Sequence, residues 1–367
     1  MLLFLTLGLL AVSLAQLSFL KKNDLFLYGA FLVILVVMAF QDSVSVDFPG
    51  YIEDFTKIAD GDMHAVLFRS QADRDIATEP GWFALNYLVG LLIPSFYAVS
   101  FIALGFYCFT LVKLIRLIVP DTYRWLAVAY FYLNPMLFNM SGIRQTIAIG
   151  FFILAVCSIL EKGGFAETAL WLILGALFHN SMIFSLPFLL LLFLKRGEGY
   201  SVLIYEAVFS VLFLLAVFSG AKYQELFFNI SNLFFSENVD VYSSYISDMN
   251  AMAYSLKSIV RLAFPFAFAL LVLPLAERKE FSFLVLFIAG QILYALFGFE
   301  GTIQRITLYC TIFALPSFMV IANRLKERWL RYTFCGGTLL LNAYMFWVMT
   351  GNVQYAGYLD YNLFFLN

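Results

Sequence analysis

The sequence is poor in charge. Only 13% of its 367 residues are Asp, Glu, Lys or Arg, whereas soluble domains carry roughly 25% charged residues. This shortage excludes an ordinary cytosolic enzyme and an intrinsically disordered chain, because both need many more charged side chains. The charges that are present nearly cancel, with a formal net charge of -2. A nucleic-acid partner is therefore excluded as well, since its binding depends on a strongly positive surface.

Cysteine and histidine are also scarce, with four and two residues respectively. The cysteines lie in apolar runs, and none is spaced from another as zinc ligands are. No Gly-rich phosphate loop, nucleophile elbow or EF-hand loop occurs in the sequence. The acidic residues of the first long loop are not specific enough to predict a divalent cation. We therefore expect no disulfide-stabilised secreted domain, no metal and no cofactor.

Apolar residues dominate what is present. They make up 63% of the chain, which includes 43 Phe and 21 Tyr, and the mean hydropathy is +0.88. A helix of ~20 apolar residues crosses the ~30 Å hydrocarbon core of a bilayer. The sequence therefore predicts an all-α, polytopic membrane protein, with one transmembrane domain over residues 1–367 and about twelve transmembrane helices. The predicted spans are 1–20, 25–40, 95–118, 125–140, 146–161, 165–178, 181–194, 200–218, 258–276, 281–298, 306–323 and 332–350.

Two long polar stretches separate these spans, residues 41–80 and 219–257, and residues 81–94 resemble an extra half-buried helix. Lys and Arg in short connections favour the cytoplasmic side of a membrane. When Lys21 and Lys22 are placed inside, fourteen of the 22 basic residues fall inside, and the opposite orientation reverses that excess. We therefore expect both termini on the outside, with the two long stretches forming outer (periplasmic) loops 1 and 2.

Residues 165–194 form two short apolar arms around a polar centre, His179-Asn180-Ser181. An arm of about fourteen helical residues reaches only ~21 Å, so the tip of this hairpin stops short of the far surface. Polar, irregular backbone at that depth is tolerated against protein or a water-filled cavity. The pattern therefore predicts a cavity that is open to the outside.

Three arginines precede apolar runs on the predicted outer side. Arg144, Arg261 and Arg305 each follow a Ser or Thr by three positions, which predicts a helix N-cap with Arg at position N3. A cation near the positive end of the helix dipole costs about 0.3–1 kcal/mol unless an anion shares the site. Backbone N–H groups and a guanidinium both suit a phosphate. We hypothesise that these arginines bind a pyrophosphate; the alternative is that each Arg reaches the outer headgroups or pairs with a loop carboxylate.

Three residues are candidates for proton transfer. Asp47 follows the second span closely, with Tyr51 and Phe55 on the same side of a helix. Glu79 precedes Pro80 at the start of the half-buried helix, where its alternative role is that of a carboxylate facing the helix dipole. The other acids of the first loop are interpreted as a solvated face.

His179 is the third candidate, because an imidazole with a pKa near 6.5 can deprotonate a sugar hydroxyl. Its alternative role is structural, as a hairpin cap that holds Asn180 and Ser181.

With these positions in hand, the chain resembles the EpsG-like, Wzy-type polysaccharide polymerases of bacteria. The resemblance runs from the first outer loop to the eleventh span. One departure lies in the first loop, where the family tends to carry an arginine and this chain has Gln41. The matching fragments are Asp47-Phe-Pro-Gly-Tyr51, Glu79-Pro80-Gly81, Gly142-Ile-Arg144-Gln145, His179-Asn180-Ser181, and Gln304-Arg305-Ile306 with Tyr309.

The resemblance implies a GT-C-like glycosyltransferase of the bacterial cytoplasmic membrane with its active site on the outer side. Such an enzyme moves a glycan from one undecaprenyl-pyrophosphate carrier to the sugar end of another lipid-linked repeat unit. It thereby builds O-antigen, capsule or exopolysaccharide without a nucleotide sugar. Membrane lipid and a chain-length regulator are further implied partners. The expected roles are catalysis by His179, Asp47 or Glu79, pyrophosphate binding by Arg144, Arg305 and Arg261, and substrate binding by Gln145, Tyr51, Asn180 and Gln304.

Two other functions fit part of the pattern. An O-antigen ligase also needs arginine and histidine on the outer side, but its acceptor is the lipid A core. A transporter or lipid-glycan flippase would carry charged residues through the full depth of the helix bundle. The polar residues of this chain concentrate in the outer half, which favours the polymerase.

Overall fold

The computed structural model describes residues 1–42, 45, 47–60, 79–194, 200–234, 256–297, 301–350 and 360–366. Within these ranges the regular structure is helical, and one isolated antiparallel bridge joins Gln41 to Leu363. The predicted all-α class is therefore confirmed. The α-helices are α1 Leu2–Leu20, α2 Leu25–Ala39, α3 Phe48–Asp60, α4 Pro80–Leu92, α5 Phe96–Ile118, α6 Arg124–Leu133, α7 Pro135–Ser141, α8 Ile143–Leu160, α9 Phe165–Phe178, α10 Leu186–Leu190, α11 Tyr200–Phe234, α12 Leu256–Val272, α13 Arg278–Phe297, α14 Gly301–Thr311, α15 Ala314–Arg324 and α16 Arg328–Thr350.

Among the described residues, six helical segments are long and apolar enough to cross a membrane by length and composition. Large apolar side chains on helix surfaces remain exposed, as at Leu9, Leu92 and Phe165. Such surfaces require lipid rather than water around them. The chain is a multi-pass membrane protein, and twelve crossings stay a prediction. The long segments are Leu2–Leu20, Phe96–Ile118, Ile143–Leu160, Ser201–Phe218, Arg278–Leu296 and Ile306–Arg324, and the shorter apolar ones are Leu25–Ala39, Pro80–Leu92, Phe165–Phe178, Asn180–Phe193 and Leu262–Leu275.

Two predicted spans are interrupted by proline. The span predicted at 125–140 consists of α6 and α7, which meet at Asn134 before Pro135. The span predicted at 306–323 consists of α14 and α15, which are separated by residues 312 and 313. Pro316 is the third residue of α15. A proline cannot donate to the carbonyl four residues earlier, and its ring collides with that carbonyl. Hydropathy alone does not register this interruption, because both sides of it are apolar.

The predicted outer loops contain helix. Helix α3, Phe48–Asp60, lies inside loop 1, and α11 continues to Phe234, beyond the predicted end of its span at 218. Polar residues such as Lys222 and Glu225 end an apolar run, but they do not end a helix, because the backbone ladder does not depend on side-chain polarity. The first part of predicted loop 2 is therefore helical.

The chain divides into two compact units, residues 1–183 with 327–367, and residues 184–326. The single transmembrane domain over residues 1–367 stays a prediction. In the first unit, α1, α6 and α16 meet at Phe4, whose ring centroid lies 4.7 Å from that of Tyr132 and 5.6 Å from that of Phe346. These buried aromatic contacts hold the first and last helices of that unit together.

The second unit, residues 184–326, has its own aromatic core. Phe213 of α11 stacks on Phe266 of α12 with ring centroids 4.1 Å apart, and Phe287 of α13 lies 5.3 Å from Phe318 of α15. The Ser317 hydroxyl donates to the carbonyl of Phe283 at 3.2 Å, so a polar side chain is satisfied between α13 and α15.

Candidate functional site

Asp47 lies directly before helix α3. Its carbonyl accepts from the backbone N–H of Tyr51 at 3.1 Å, and its carboxylate Oδ2 accepts from the Ser141 hydroxyl at 3.0 Å. Tyr51 and Phe55 are both buried and both pack on Phe96, with ring centroids 6.1 and 6.2 Å from it. Their spacing of four residues places them on one face of α3, as expected.

The predicted helix caps of the three arginines are wrong. Ser141 is the last residue of α7, and Gly142 stands at the N-cap of α8 without a side-chain cap. The Ser141 hydroxyl is engaged by Asp47 instead, and Arg144 is the second residue of α8 rather than the third. The reason is that α7 runs to Ser141, one residue beyond the predicted end of the span at 140, so that Ser141 belongs to the preceding helix.

Arg261 and Arg305 depart further from the predicted position. Helix α12 begins at Leu256 and α14 begins at Gly301, so these arginines are the sixth and fifth residues of their helices. The field of a helix terminus falls off within the first turn. Arg144 lies in the first turn of its helix, where an anion would be favoured. The argument from the helix dipole does not hold for Arg261 and Arg305, which lie beyond the first turn.

Arg144 is paired with Glu79. A guanidinium nitrogen Nη1 of Arg144 donates to Glu79 Oε2 at 2.6 Å, and the Glu79 side chain is 9% exposed. Glu79 is the N-cap of α4 with Pro80 at N1, but its carboxylate caps no backbone N–H of that helix. The alternative partner considered for Arg144, a loop carboxylate, is thus present in this structure. Glu79 faces a cation rather than serving only the helix dipole.

Arg144 nevertheless retains capacity for a further ligand. Its Cζ lies 5.6 Å from the centroid of the Tyr51 ring, a distance at which a cation and an aromatic face attract each other. Its Nε is buried and donates to no acceptor in the described part of the structure, and its side chain is 28% exposed. A buried guanidinium with an unused donor is costly unless another acceptor completes it.

Asp47, Tyr51, Glu79 and Ser141 form, with Arg144, the cluster around Arg144. Asp54 adds a carboxylate to this cluster, and the sequence did not single it out. It lies about two turns after Asp47 on α3 and is half-buried. Burial raises the pKa of Asp54, while the positive charges of Arg144 and Lys57 oppose that increase. The interpretation of the other loop acids as a solvated face does not hold for Asp54, whose spacing from Asp47 and Tyr51 indicates a shared side of α3.

Helices α8 and α9 form the antiparallel pair that carries His179. A tight turn joins them, in which Lys162 adopts a left-handed φ of 63° and Gly163 N donates to Ser158 O at 2.7 Å. The Phe178 ring lies 5.7 Å from Phe151, which is seven residues after Arg144 in α8. At 1.5 Å per residue, His179 therefore lies ~10 Å from the level of Arg144 along the helix pair.

The structure contains the contacts of the hairpin cap around His179. The backbone N–H of Ser181 donates to His179 Nδ1 at 3.2 Å, and the Ser181 hydroxyl lies 2.7 Å from the same nitrogen. Since a nitrogen that accepts from a backbone N–H is unprotonated, the neutral ring carries its proton on Nε2.

Glycine brings α4 close to the end of α9. A Cβ at Gly81 would lie 2.8 Å from the carbonyl oxygen of Leu177, so this approach admits no larger residue. Glu79 and His179 are each two residues away from this contact along the chain. The packing of α4 against the end of α9 thereby brings the segments that carry Glu79 and His179, two of the predicted catalytic residues, close together.

Gln41, the departure from the family pattern, is fully buried and connects several segments. Its Nε2 donates to Met140 O at 3.0 Å, and its Oε1 accepts from Ser45 N at 3.2 Å. The C-terminal segment runs beside it, with Asp42 N donating to Asn362 O at 3.1 Å. These contacts fix the connection from α2 to Asp47, and sequence reasoning did not identify them.

The remaining predicted residues are not brought into this cluster by any described contact. Gln145 is buried in α8, and Asn180 is exposed at the start of the 3-10 turn Asn180–Ser185. The side chains of Arg261, Gln304 and Arg305 lie outside the described residues. Within the described ranges, no group of three or more His, Cys, Asp or Glu residues is placed to hold a metal ion.

Comparison with known proteins gives one match. The sequence model of the EpsG family matches residues 24–363, nearly the whole chain. The match includes most of the first compact unit, the whole of the second and every residue of the cluster around Arg144. No curated protein and no solved structure matches the chain.

Proposed function

Because this chain belongs to the EpsG family, we propose that it is a polysaccharide polymerase that joins lipid-linked repeat units on the outer side of the bacterial cytoplasmic membrane. Family membership supports a polymerase-like function in general, and it is the observation that carries the proposal. The carrier lipid, the side of the membrane and the roles of individual residues are the finer parts of the proposal. The side of the membrane rests on the distribution of Lys and Arg, and the carrier lipid and the residue roles rest on the cluster around Arg144.

The proposed reaction moves a glycan between two carriers. A hydroxyl of the acceptor sugar forms a new bond to the anomeric carbon of the donor glycan, and the bond from that carbon to the undecaprenyl pyrophosphate breaks. The acceptor hydroxyl loses a proton to a base, and the pyrophosphate leaves with the electron pair. The enzyme must therefore stabilise a developing phosphate charge and accept one proton.

Arg144 is the proposed ligand of the leaving pyrophosphate. It lies in the first turn of α8 with a partly exposed guanidinium and an unused buried donor at Nε. Backbone N–H groups at a helix start and a guanidinium fork both favour phosphate oxygens. Arg261 and Arg305 stay predicted ligands from the sequence.

Glu79 is proposed as the group that orients Arg144 rather than as a base. Its carboxylate is buried and bound to the guanidinium at 2.6 Å, so a sugar hydroxyl would have to displace a charge-assisted hydrogen bond to reach it. Because Glu79 neutralises part of the Arg144 charge, Arg144 alone would bind pyrophosphate weakly. The reaction is therefore expected to need further cations, which is the role predicted for Arg261 and Arg305.

Asp47 is the proposed base. The Ser141 hydroxyl orients its carboxylate through one oxygen at 3.0 Å. The ring of His179 accepts at Nδ1, so Nε2 carries a proton and donates rather than accepts. His179 is therefore assigned to hydrogen-bond donation towards the substrate, with Asn180, Gln145 and Gln304 as further predicted substrate contacts.

The proposal is tested with purified protein and a synthetic repeat unit linked to undecaprenyl pyrophosphate. Incubation without any nucleotide sugar is expected to give a ladder of lengthened lipid-linked glycans on a gel. A product formed on lipid A core alone would indicate a ligase. Movement of the intact unit across a vesicle membrane without lengthening would indicate a flippase, and either result would overturn the proposal.

A further inference from the structure

A cavity of about 400 Å³ lies in the first unit, away from Arg144 along the helices. It is lined by residues of α2 and α5 and by the residue that follows α8. Its lining combines two cations, one carboxylate, one phenol and two apolar side chains. The lining residues are Tyr28, Phe109, Lys113, Arg116, Leu117 and Glu161.

The charges of this cavity are held in place by ion pairs. Lys113 Nζ lies 3.2 Å from Glu161 Oε2, and Arg116 Nε lies 2.7 Å from Asp24 Oδ2. The Arg116 Nη1 also donates to the Tyr28 hydroxyl at 3.0 Å. The two cations therefore point to fixed positions, which lowers the entropy that a ligand would lose on binding them.

The cations of the lining belong to a network of ion pairs that extends beyond it. Lys113 and Arg116 face a single lining carboxylate, Glu161. Asp24, just outside the lining, is shared, because Arg124 Nη1 also lies 2.7 Å from its Oδ1. Arg124 is bound in turn by Asp121 at 2.8 Å. Counted together, the three cations Lys113, Arg116 and Arg124 balance the three carboxylates Glu161, Asp24 and Asp121, so this ion-pair network is neutral as a whole.

More cations surround the cavity in the neighbouring connections. Lys21 and Lys22 precede Asp24 between α1 and α2, and Lys162 follows Glu161. All three are exposed. The surplus of positive charge at this end therefore comes from these three lysines, and their potential favours an anion.

The cavity opens beside a lipid-facing surface. Phe109, Lys113, Arg116 and Leu117 share one face of α5, because they are spaced by four, three and one residues. Phe109 is 54% exposed, and it lies ~10 Å from Arg116 along the helix. The charged groups lie near the end of α5 at Ile118. Along α5 the apolar Phe109 is followed by the charged Lys113 and Arg116. An acyl chain followed by a phosphate has the same order in a phospholipid.

We propose that this cavity binds the phosphate of an anionic phospholipid, with Lys113 and Arg116 at the phosphodiester and an acyl chain along Phe109. A headgroup with a net negative charge, such as phosphoglycerol, is favoured by the exposed lysines Lys21, Lys22 and Lys162 around the lining. Basic cavities between transmembrane helices favour such headgroups at the cytoplasmic side, which is where the predicted topology places this end of α5. The site is separate from the polymerase chemistry, so the assay for polymerisation does not decide it.

The test uses the purified full chain in nanodiscs of phosphatidylcholine that contain a fluorescent phosphatidylglycerol. Lipid retained after detergent extraction is counted by native mass spectrometry. The Lys113→Gln/Arg116→Gln double variant is expected to retain phosphatidylglycerol about tenfold more weakly. Glu161→Gln removes the lining carboxylate and is expected to strengthen retention. The matched control is Lys21→Gln/Lys22→Gln, which removes two positive charges from the same end outside the lining. It is expected to weaken retention less than the lining variant does, because these exposed lysines act only through a potential that salt screens.

Three results would overturn the proposal. An equal loss in the control variant would show a general surface charge effect. Weaker retention in Glu161→Gln would show that the carboxylate attracts the lipid, as it would a zwitterionic headgroup. Displacement of the lipid by soluble glycerol phosphate as readily as by phosphatidylglycerol would show a site for free phosphate. Because Glu161→Gln leaves both cations in place, this arm stays decisive even where the double variant fails to fold.

Discussion

Arg144 in the first unit and Arg324 in the second show two ways in which a membrane protein holds a half-buried guanidinium. Their side chains are almost equally exposed, at 28% and 26%. Arg324 is bound by two carboxylates, through Nε to Glu280 at 2.8 Å and through Nη2 to Glu277 at 2.6 Å. Arg144 has one carboxylate, Glu79, and its Nε has no acceptor among the described residues.

The helix dipole separates the two arginines further. Arg324 is the last residue of α15, where a cation is favoured, and Arg144 is in the first turn of α8, where a cation is disfavoured. Arg324 therefore has what a structural ion pair requires. Arg144 is incompletely coordinated in a position that suits an anion, which is the physical basis for assigning it to a ligand.

The comparison predicts opposite responses to a charge-preserving change. Arg144→Lys is expected to reduce polymerisation by about 10²-fold or more, because an ammonium cannot replace the two-pronged contact of a guanidinium with a phosphate. Arg324→Lys is expected to keep most activity and to lower the melting temperature. Both variants are measured by ladder formation from the synthetic repeat unit and by thermal unfolding in detergent.

Wild-type activity in Arg144→Lys would remove the proposed role in phosphate binding. Arg305→Lys in the same assay tests the prediction that came from the sequence alone.

Asp47→Asn tests the proposed base. The amide keeps the size of the side chain and can still accept from Ser141, but it cannot take the proton of the acceptor hydroxyl, so a loss of about 10²-fold in kcat is expected. Ser141→Ala is the matched variant, because it keeps the base and removes its orienting hydroxyl at 3.0 Å. It is expected to lose less activity than Asp47→Asn. A larger loss in Ser141→Ala would contradict the assignment of Asp47.

Glu79→Gln sharpens the comparison by removing the charge that holds Arg144. The freed guanidinium is expected to bind donor more tightly but in a less defined position, so KM falls while kcat drops roughly tenfold. Glu280→Gln is the corresponding change at Arg324 and is expected to affect thermal stability without changing kcat. Equal effects of both variants on kcat would show that Glu79 acts only on stability.

Gln41→Ala tests the support beneath the cluster. In the wild-type protein the side-chain amide of Gln41 bonds the backbone carbonyl of Met140 and the backbone N–H of Ser45. The substitution leaves both backbone groups without this partner, and each such loss costs about 1–3 kcal/mol. A lower melting temperature and a several-fold drop in activity are expected. Tyr361→Phe removes only the hydroxyl that donates to Val37 O at 2.8 Å, and it is expected to give the smaller effect of the two.

The smallest effect is expected at Asp54. Because burial raises its pKa, ionisation costs more in the folded than in the unfolded protein. Its ionised form therefore lowers stability at pH 7, and this loss disappears as the pH falls below the ordinary value of 3.8. Asp54→Asn should raise the melting temperature at pH 7 by at most about 2 °C. The advantage should vanish near pH 4, and an advantage that grows with acidity would contradict the burial of this carboxyl.

The helical segments were largely predictable because apolar composition and helix length are local properties. The arm 165–178 matches α9, and the first span matches α1. The predicted caps failed at Ser141, Ser258 and Thr302, because the start of a helix depends on a competition between neighbouring turns that residue type alone does not settle. The breaks at Pro135 and Pro316 were missed because hydropathy was weighed above backbone hydrogen bonding.

The candidate site was predicted as a set of residues but not as a set of contacts. Asp47, Tyr51, Glu79 and Arg144 were all named from the sequence, and the structure brings them together. The partners were not foreseeable: Glu79 and Arg144 are 65 residues apart, and Asp47 and Ser141 are 94 apart. Such pairs depend on how α3, α4 and α8 pack, which no local pattern encodes.

The sequence by itself determined that this is an all-α membrane protein, because a shortage of charge and long apolar runs leave no other solvent than lipid for most of its surface. Its membership of the EpsG family rests separately on the match over residues 24–363. Tertiary structure decided that Arg324 is bound by two carboxylates and that Arg144 is bound by one and retains a donor for a ligand. That decision follows from long-range packing, since the cost of a buried charge depends on the groups that surround it in space rather than on its neighbours in the chain.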